Sequence, residues 1–156
     1  MTDGHHRPGA LVLGVGGRDR GDDAVGPAVA ERAMELVPPE VTVMKRVEPA
    51  ELIDAWAGAG LVVVTDAVRS GQPPGTVHVL HACHGPLPVR TGAGGTHGLG
   101  LAEVIELGRA LHRLPPELVI VGVEAQQFGL GEPMSPQVRA GIELAAKTVA
   151  EVIRTR

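Results

Sequence analysis

Tyrosine is absent, and phenylalanine and tryptophan occur once each, so aromatic residues make up 1% of the chain. A core must then be assembled from Val, Leu, Ile and Ala. Cysteine also occurs once, at Cys83. One cysteine excludes an intramolecular disulfide and suits a reducing cytoplasm. An excess of basic charge is missing as well. The net charge is -4, which gives no electrostatic footprint for nucleic acid. No apolar run approaches the length of a membrane-spanning helix. The polar stretch from Met1 to Gly9 lacks the apolar segment of a secretory signal. Residues 1–9 read as a flexible tail in which His5 and His6 carry no role. Residues 10–156 read as one domain. Repeats, low-complexity linkers and heptads are absent too, so nothing in the sequence specifies an oligomeric state.

What is present is 44% hydrophobic residues in a chain of 156, enough to bury a sizeable core. The pattern alternates apolar runs with helical periodicity, which predicts an α/β three-layer sandwich. Leu11 to Val15 opens the series as a strand buried on both faces. Pro27 to Val37 has a helical apolar face formed by Val29, Ala33, Leu36 and Val37. Val41 to Val47 reads as a second strand and Ala50 to Ala57 as a short helix. Leu61 to Ala67 is a third strand, buried on both faces by its run of apolar residues, with Asp66 at its carboxyl end. Thr76 to Leu80 follows too closely for a crossover helix, so it should run antiparallel to the third strand. A Gly/Pro-rich loop, His81 to Gly95, leads to a helix over Gly98 to Leu111. Leu118 to Val123 is the fifth strand. Ser135 and Pro136 open a last helix that runs to about Ile153. The expected sheet is mixed, mostly parallel and five-stranded, between helices.

The first strand exit, Gly14-Val15-Gly16-Gly17-Arg18-Asp19-Arg20-Gly21-Asp22-Asp23, carries the clearest chemistry. Glycines there let the backbone turn tightly and approach a partner. A dinucleotide fingerprint would need a third glycine where Asp19 stands. The aspartates repel phosphate, and no Lys or Ser/Thr has Walker spacing. An acidic turn favours a cation or acid/base chemistry. Asp22 has a second reading as the cap of the next helix. Pro27 fits the first turn of a helix starting near Gly26, which leaves both aspartates in the loop.

Asp22/Asp23, Asp66 and His97 all lie at strand exits or at a helix start. If strands one and three are neighbours, the carboxylates converge at one rim of the sheet. Two carboxylates and an imidazole suit a divalent transition metal, with coordination positions left for a substrate. Asp66 could instead accept loop amides, and His97 could simply begin a helix in solvent.

Five segments, in order, carry a resemblance. They are Leu13-Gly14-Val15-Gly16, Gly21 to Pro27, Thr65-Asp66-Ala67, Thr96-His97-Gly98-Leu99 and Gly122-Val123-Glu124. From about Ala10 onward the chain resembles the hydrogenase maturation endopeptidases, which trim the C-terminus of the large subunit of nickel–iron hydrogenases. The resemblance implies a site built by Asp23, Asp66 and His97 that engages nickel already held by the large-subunit precursor. Asp23 and Asp66 would be the catalytic carboxylates, with Asp22 a structural neighbour. The nickel belongs to the substrate, and no resident organic cofactor is implied. The precursor would be the partner. Two departures from the family are Gly17, where Asn is usual, and Val47-Glu48-Pro49, where a Gly-rich turn is usual.

Two other readings compete. His78, His81, Cys83 and His84 could form a second metal site or a thiol–imidazole pair. On an alternating strand, though, His78 and His81 face opposite ways. A non-catalytic module that checks nickel insertion in the same precursor is the other.

Overall fold

A computed structural model describes residues 9–92 and 99–156. The expected tail, Met1 to Gly9, therefore lies outside the described residues apart from Gly9. The elements run β1 (Ala10–Gly14), α1 (Val25–Ala33), β2 (Thr42–Met44), α2 (Leu52–Ala55), β3 (Leu61–Arg69), β4 (Val77–His81), β5 (Arg90–Thr91), α3 (Leu101–Ala110), β6 (Glu117–Glu124), α4 (Pro136–Ala140) and α5 (Ile142–Arg154). Short 3-10 turns at Gly21–Ala24, Pro49–Glu51 and Ala82–His84 join them.

The sheet order is β2-β1-β3-β6-β4, with β5 attached to β3. Strands β2, β1, β3 and β6 are parallel, while β4 and β5 run antiparallel. The sheet has six strands where the sequence suggested five. The sixth is a two-residue strand inside the Gly/Pro-rich loop, too short for periodicity to reveal. Strand β4 has the expected direction, but its hydrogen-bonded neighbour is β6.

The two-sided apolar runs of β1, β3 and β6 are explained by a layer of helices on each face. Val12, Val63 and Val121 pack with Val29 of α1 and Val149 of α5. Leu13, Val64 and Ile120 pack on the other face with Leu52, Trp56 and Ile105. Trp56 is fully buried and its indole N–H donates to the carbonyl of Arg113 at 2.8 Å. The last helix is not continuous. It breaks at Gly141, where a Cβ would come 2.7 Å from the carbonyl oxygen of Gly75 in the β3–β4 turn. Ser135 stands at the expected N-cap position of α4 but makes no side-chain cap. Its hydroxyl donates instead to Asp22, at 3.1 Å.

Parallel pairing of β1 with β3 and of β3 with β6 brings three strand exits to one rim. Gly14 stands opposite Thr65, and Asp66 opposite Gly122. The acidic loop and the Asp66 segment are thereby neighbours, as the site requires.

Candidate active site

The acidic loop is held by close backbone packing. Gly16 has φ +146°, and a Cβ there would lie 1.9 Å from the carbonyl oxygen of Asp23. At Gly26 a Cβ would meet the carbonyl oxygens of Val15 at 2.0 Å and Thr65 at 2.6 Å. The Thr65 hydroxyl donates to the Gly26 carbonyl at 2.6 Å, and the Val15 N–H to the Thr65 carbonyl at 2.9 Å. Glycine lets the start of α1 sit directly on the exits of β1 and β3. Pro27 falls in the first turn of α1, where the missing N–H costs nothing.

The adjacent aspartates part company in this turn. Asp22 is fully buried. Its carboxylate accepts the N–H groups of Gln126 at 2.9 Å, Gln127 at 3.0 Å and Ser135 at 2.7 Å, besides the Ser135 hydroxyl. Asp22 is therefore not a helix cap; it ties the first loop to the β6–α4 loop. Asp23 turns the other way. It accepts the Gly17 N–H at 2.7 Å and lines an open cleft of about 1180 Å³.

Asp66 lines the same cleft and is 1% exposed. Its Oδ1 accepts the Ala67 N–H at 2.8 Å. Its Oδ2 is buried without a hydrogen-bond partner among the described residues. A buried carboxylate oxygen with no donor costs free energy unless it is protonated or meets a cation. Burial pushes the Asp66 carboxyl well above the usual carboxylate range, and the charge of Asp23 pushes it further. Asp23 is itself raised, mainly by burial, against the opposing pull of the Gly17 N–H and the charge of Arg20. Two carboxylates that disfavour each other's ionisation form a site that holds one proton readily or, on losing it, one cation.

His97 lies outside the described residues. Among the described residues no three His, Cys, Asp or Glu side chains gather closely enough to hold a metal ion. Asp23 and Asp66 are thus a pair in a cleft that further ligands would have to complete. The second candidate cluster does not assemble. His78 meets Glu124 at 2.9 Å, and the Cys83 thiol donates to the carbonyl of Pro115 at 3.4 Å. Only His81 and His84 remain together, as stacked rings 5.4 Å apart. Glu124, last residue of the Gly122-Val123-Glu124 segment, closes the β3–β4 turn. It accepts from the Ser70 hydroxyl at 2.6 Å and the Ser70 N–H at 2.8 Å. Burial pushes the Glu124 carboxyl up, but the bonds from Ser70 and His78 together outweigh burial and hold it below the usual carboxylate range.

A model of the family described as hydrogenase maturation protease matches residues 29–152. The chain belongs to this family. The family is one of proteases, which makes this chain a peptidase. It is 30% identical over 148 residues to the hydrogenase 2 maturation protease of Escherichia coli (strain K12), covering 92% of this chain and 90% of that one. It is 27% identical over 154 residues to the hydrogenase expression/formation protein HupD of Thiocapsa roseopersicina, covering 94% and 68%. Among solved structures it is similar to the hydrogenase maturating endopeptidase HybD from E. coli, with TM-score 0.75, 27% identity, and 94% and 93% of the two chains covered. It is also similar to the maturation protease HycI from Thermococcus kodakarensis KOD1, with TM-score 0.70, 29% identity and 96% and 94% coverage. No helix among the described residues is long and apolar enough to cross a membrane.

Proposed function

We propose that this maturation protease removes a C-terminal peptide from the precursor of a nickel–iron hydrogenase large subunit, in the cytoplasm, and recognises the nickel already inserted there. The observation that carries the reading is the Asp23/Asp66 pair. Both carboxylates are buried, both face one cleft, and Asp66 Oδ2 has no partner among the described residues. Such a pair is completed by a cation, and a cation held by the substrate brings the adjacent peptide with it. His97 is the third group expected at the metal.

Catalysis would then rest on orientation. Nickel anchored on the substrate and touched by Asp23 and Asp66 fixes the scissile peptide in the cleft. The same metal polarises a nearby carbonyl or water. A carboxylate whose pKa is raised is suited to take the proton from an attacking water, so a carboxylate oxygen of the pair that does not touch the metal serves as general base.

The test is incubation of the protein with nickel-loaded and metal-free large-subunit precursor, with mass spectrometry of the released peptide. Release from the loaded precursor alone supports the reading. Equal release from both forms contradicts nickel recognition. Nickel-dependent binding without release replaces the protease reading with that of an insertion checkpoint.

A further inference from the structure

The cleft has a second charged feature beside the carboxylate pair. Arg20, Arg69 and Arg90 line it together with Asp23 and Asp66. Arg69 of β3 and Arg90 of β5 stand directly opposite each other in the antiparallel pair. Like charges directly across a strand pair repel. Elsewhere the arginines of the helical surface are neutralised: Arg32 by Glu35 and Glu143, Arg109 by Glu106, and Arg154 by Glu151. Among the described residues, none of the three cleft arginines is in an ion pair.

Arg69 is also the best anchored of the three. Its guanidinium lies over the Phe128 ring, 5.5 Å from the centroid, and its Nε is buried without a partner among the described residues. A buried N–H of a charged group with nothing to donate to costs free energy that a ligand acceptor would recover. Three acids that line the cleft each accept a backbone N–H and none is paired with these arginines among the described residues. Asp23 takes the Gly17 N–H, Asp66 the Ala67 N–H, and Glu103 the Gly100 N–H at 2.8 Å.

We propose that Arg69, flanked by Arg90 and Arg20, forms a carboxylate-binding subsite for the peptide segment that the protease excises. The cleft then reads the substrate at two points of opposite charge. The aspartates take the metal, and the arginines take a carboxylate of the excised segment. Guanidinium suits this role because its planar fork matches a carboxylate with two parallel hydrogen bonds. That carboxylate is either an Asp/Glu side chain or the free chain terminus. The proposal rests on the protease reading for the identity of its ligand, but its test does not require cleavage.

The test is fluorescence anisotropy of labelled peptides matching the C-terminal segment of the precursor, titrated with the full chain. Four peptides are compared: acidic or with Asp/Glu replaced by Asn/Gln, each with a free or an amidated C-terminus. Wild-type protein should bind the carboxylate-bearing forms roughly 10- to 100-fold more tightly than the fully neutral one, the size of one charge-assisted pair. Arg69→Met should erase that preference while leaving binding of the neutral peptide unchanged, and Arg69→Lys should restore part of it. Arg90→Gln, at an exposed position, should weaken it less and serves as the variant that does not disturb the Phe128 contact. The two chain-terminus forms decide which carboxylate is read. Equal affinity of wild type for all four peptides overturns the subsite, as does a loss in Arg69→Met that is the same for acidic and neutral peptides. Arg69-dependent binding without any cleavage of the loaded precursor would keep the subsite and reject the protease reading.

Discussion

Replacing Asp22 by alanine should unfold the molecule more readily without touching its chemistry. The Asp22 carboxylate accepts three backbone N–H groups and the Ser135 hydroxyl, all within 3.1 Å, the two Ser135 bonds fully buried and those from Gln126 and Gln127 partly so. Alanine leaves those donors unpaired, at about 1–3 kcal/mol for each that stays buried before relaxation. The losses are not additive, because one loop shift exposes several donors together, so a total of about 3–5 kcal/mol is expected. For 156 residues the unfolding entropy is about 0.33 kcal/mol/K, so the melting temperature should fall by about 9–15 °C. Asp22→Asn should fall between wild type and Asp22→Ala, since one amide face presents a donor where an acceptor is needed. The assay is thermal unfolding followed by circular dichroism, with precursor processing measured well below the transition. A melting temperature within about 3 °C of wild type would refute the estimate. A folded Asp22→Ala protein that no longer processes precursor would refute the division of labour between Asp22 and Asp23.

Three further outcomes are expected. The native state holds the Asp66 proton more tightly than the unfolded chain does, because burial and the Asp23 charge raise its pKa. The stability that this proton affinity contributes is complete below the unfolded value of about 3.9 and is lost as pH rises through the folded value. Asp66→Asn should therefore melt higher than wild type at neutral pH, with the difference shrinking toward pH 4, and a difference independent of pH would contradict this. Gly26→Ala should destabilise by more than about 3 kcal/mol, because its Cβ would meet two backbone oxygens within 2.6 Å and neither can swing away; a soluble variant with wild-type unfolding in urea would contradict the packing described. Trp56→Phe should cost about 1–3 kcal/mol in chemical denaturation through loss of the bond to the Arg113 carbonyl and of core volume, and a neutral substitution would place Trp56 outside the core.

The layers of the fold were legible because β1, β3 and β6 are long and apolar on both faces, and helical periodicity separates them. Element ends were less so. Strand β3 continues through Asp66 to Arg69, past the first polar residue, because β6 pairs with it as far as Val68. Strand β5 escaped because two residues have no periodicity, and the break at Gly141 escaped because its cause is the remote backbone of Gly75. For the candidate site, adjacent aspartates in a glycine loop single out the turn from which Asp23 lines the cleft. Which of them faces the cleft depends on Gln126, Gln127 and Ser135, more than a hundred residues away. The cleft arginines carry no motif in the sequence. The one available signal was an arginine three residues beyond Asp66, and its opposition to Arg90 exists only once β5 has formed.

In the proposed function Asp66 acts as an ionised ligand of the substrate's metal and not as a buried structural acid. The measurement that tests it most directly is the initial rate of peptide release from nickel-loaded precursor by Asp66→Asn against wild type. Asparagine keeps the shape of the protonated acid and the acceptor for the Ala67 N–H, so the fold should survive. A metal contact is worth several kcal/mol, so the rate should fall by roughly 100-fold or more. A folded Asp66→Asn protein that processes the loaded precursor within a few-fold of the wild-type rate would contradict the account.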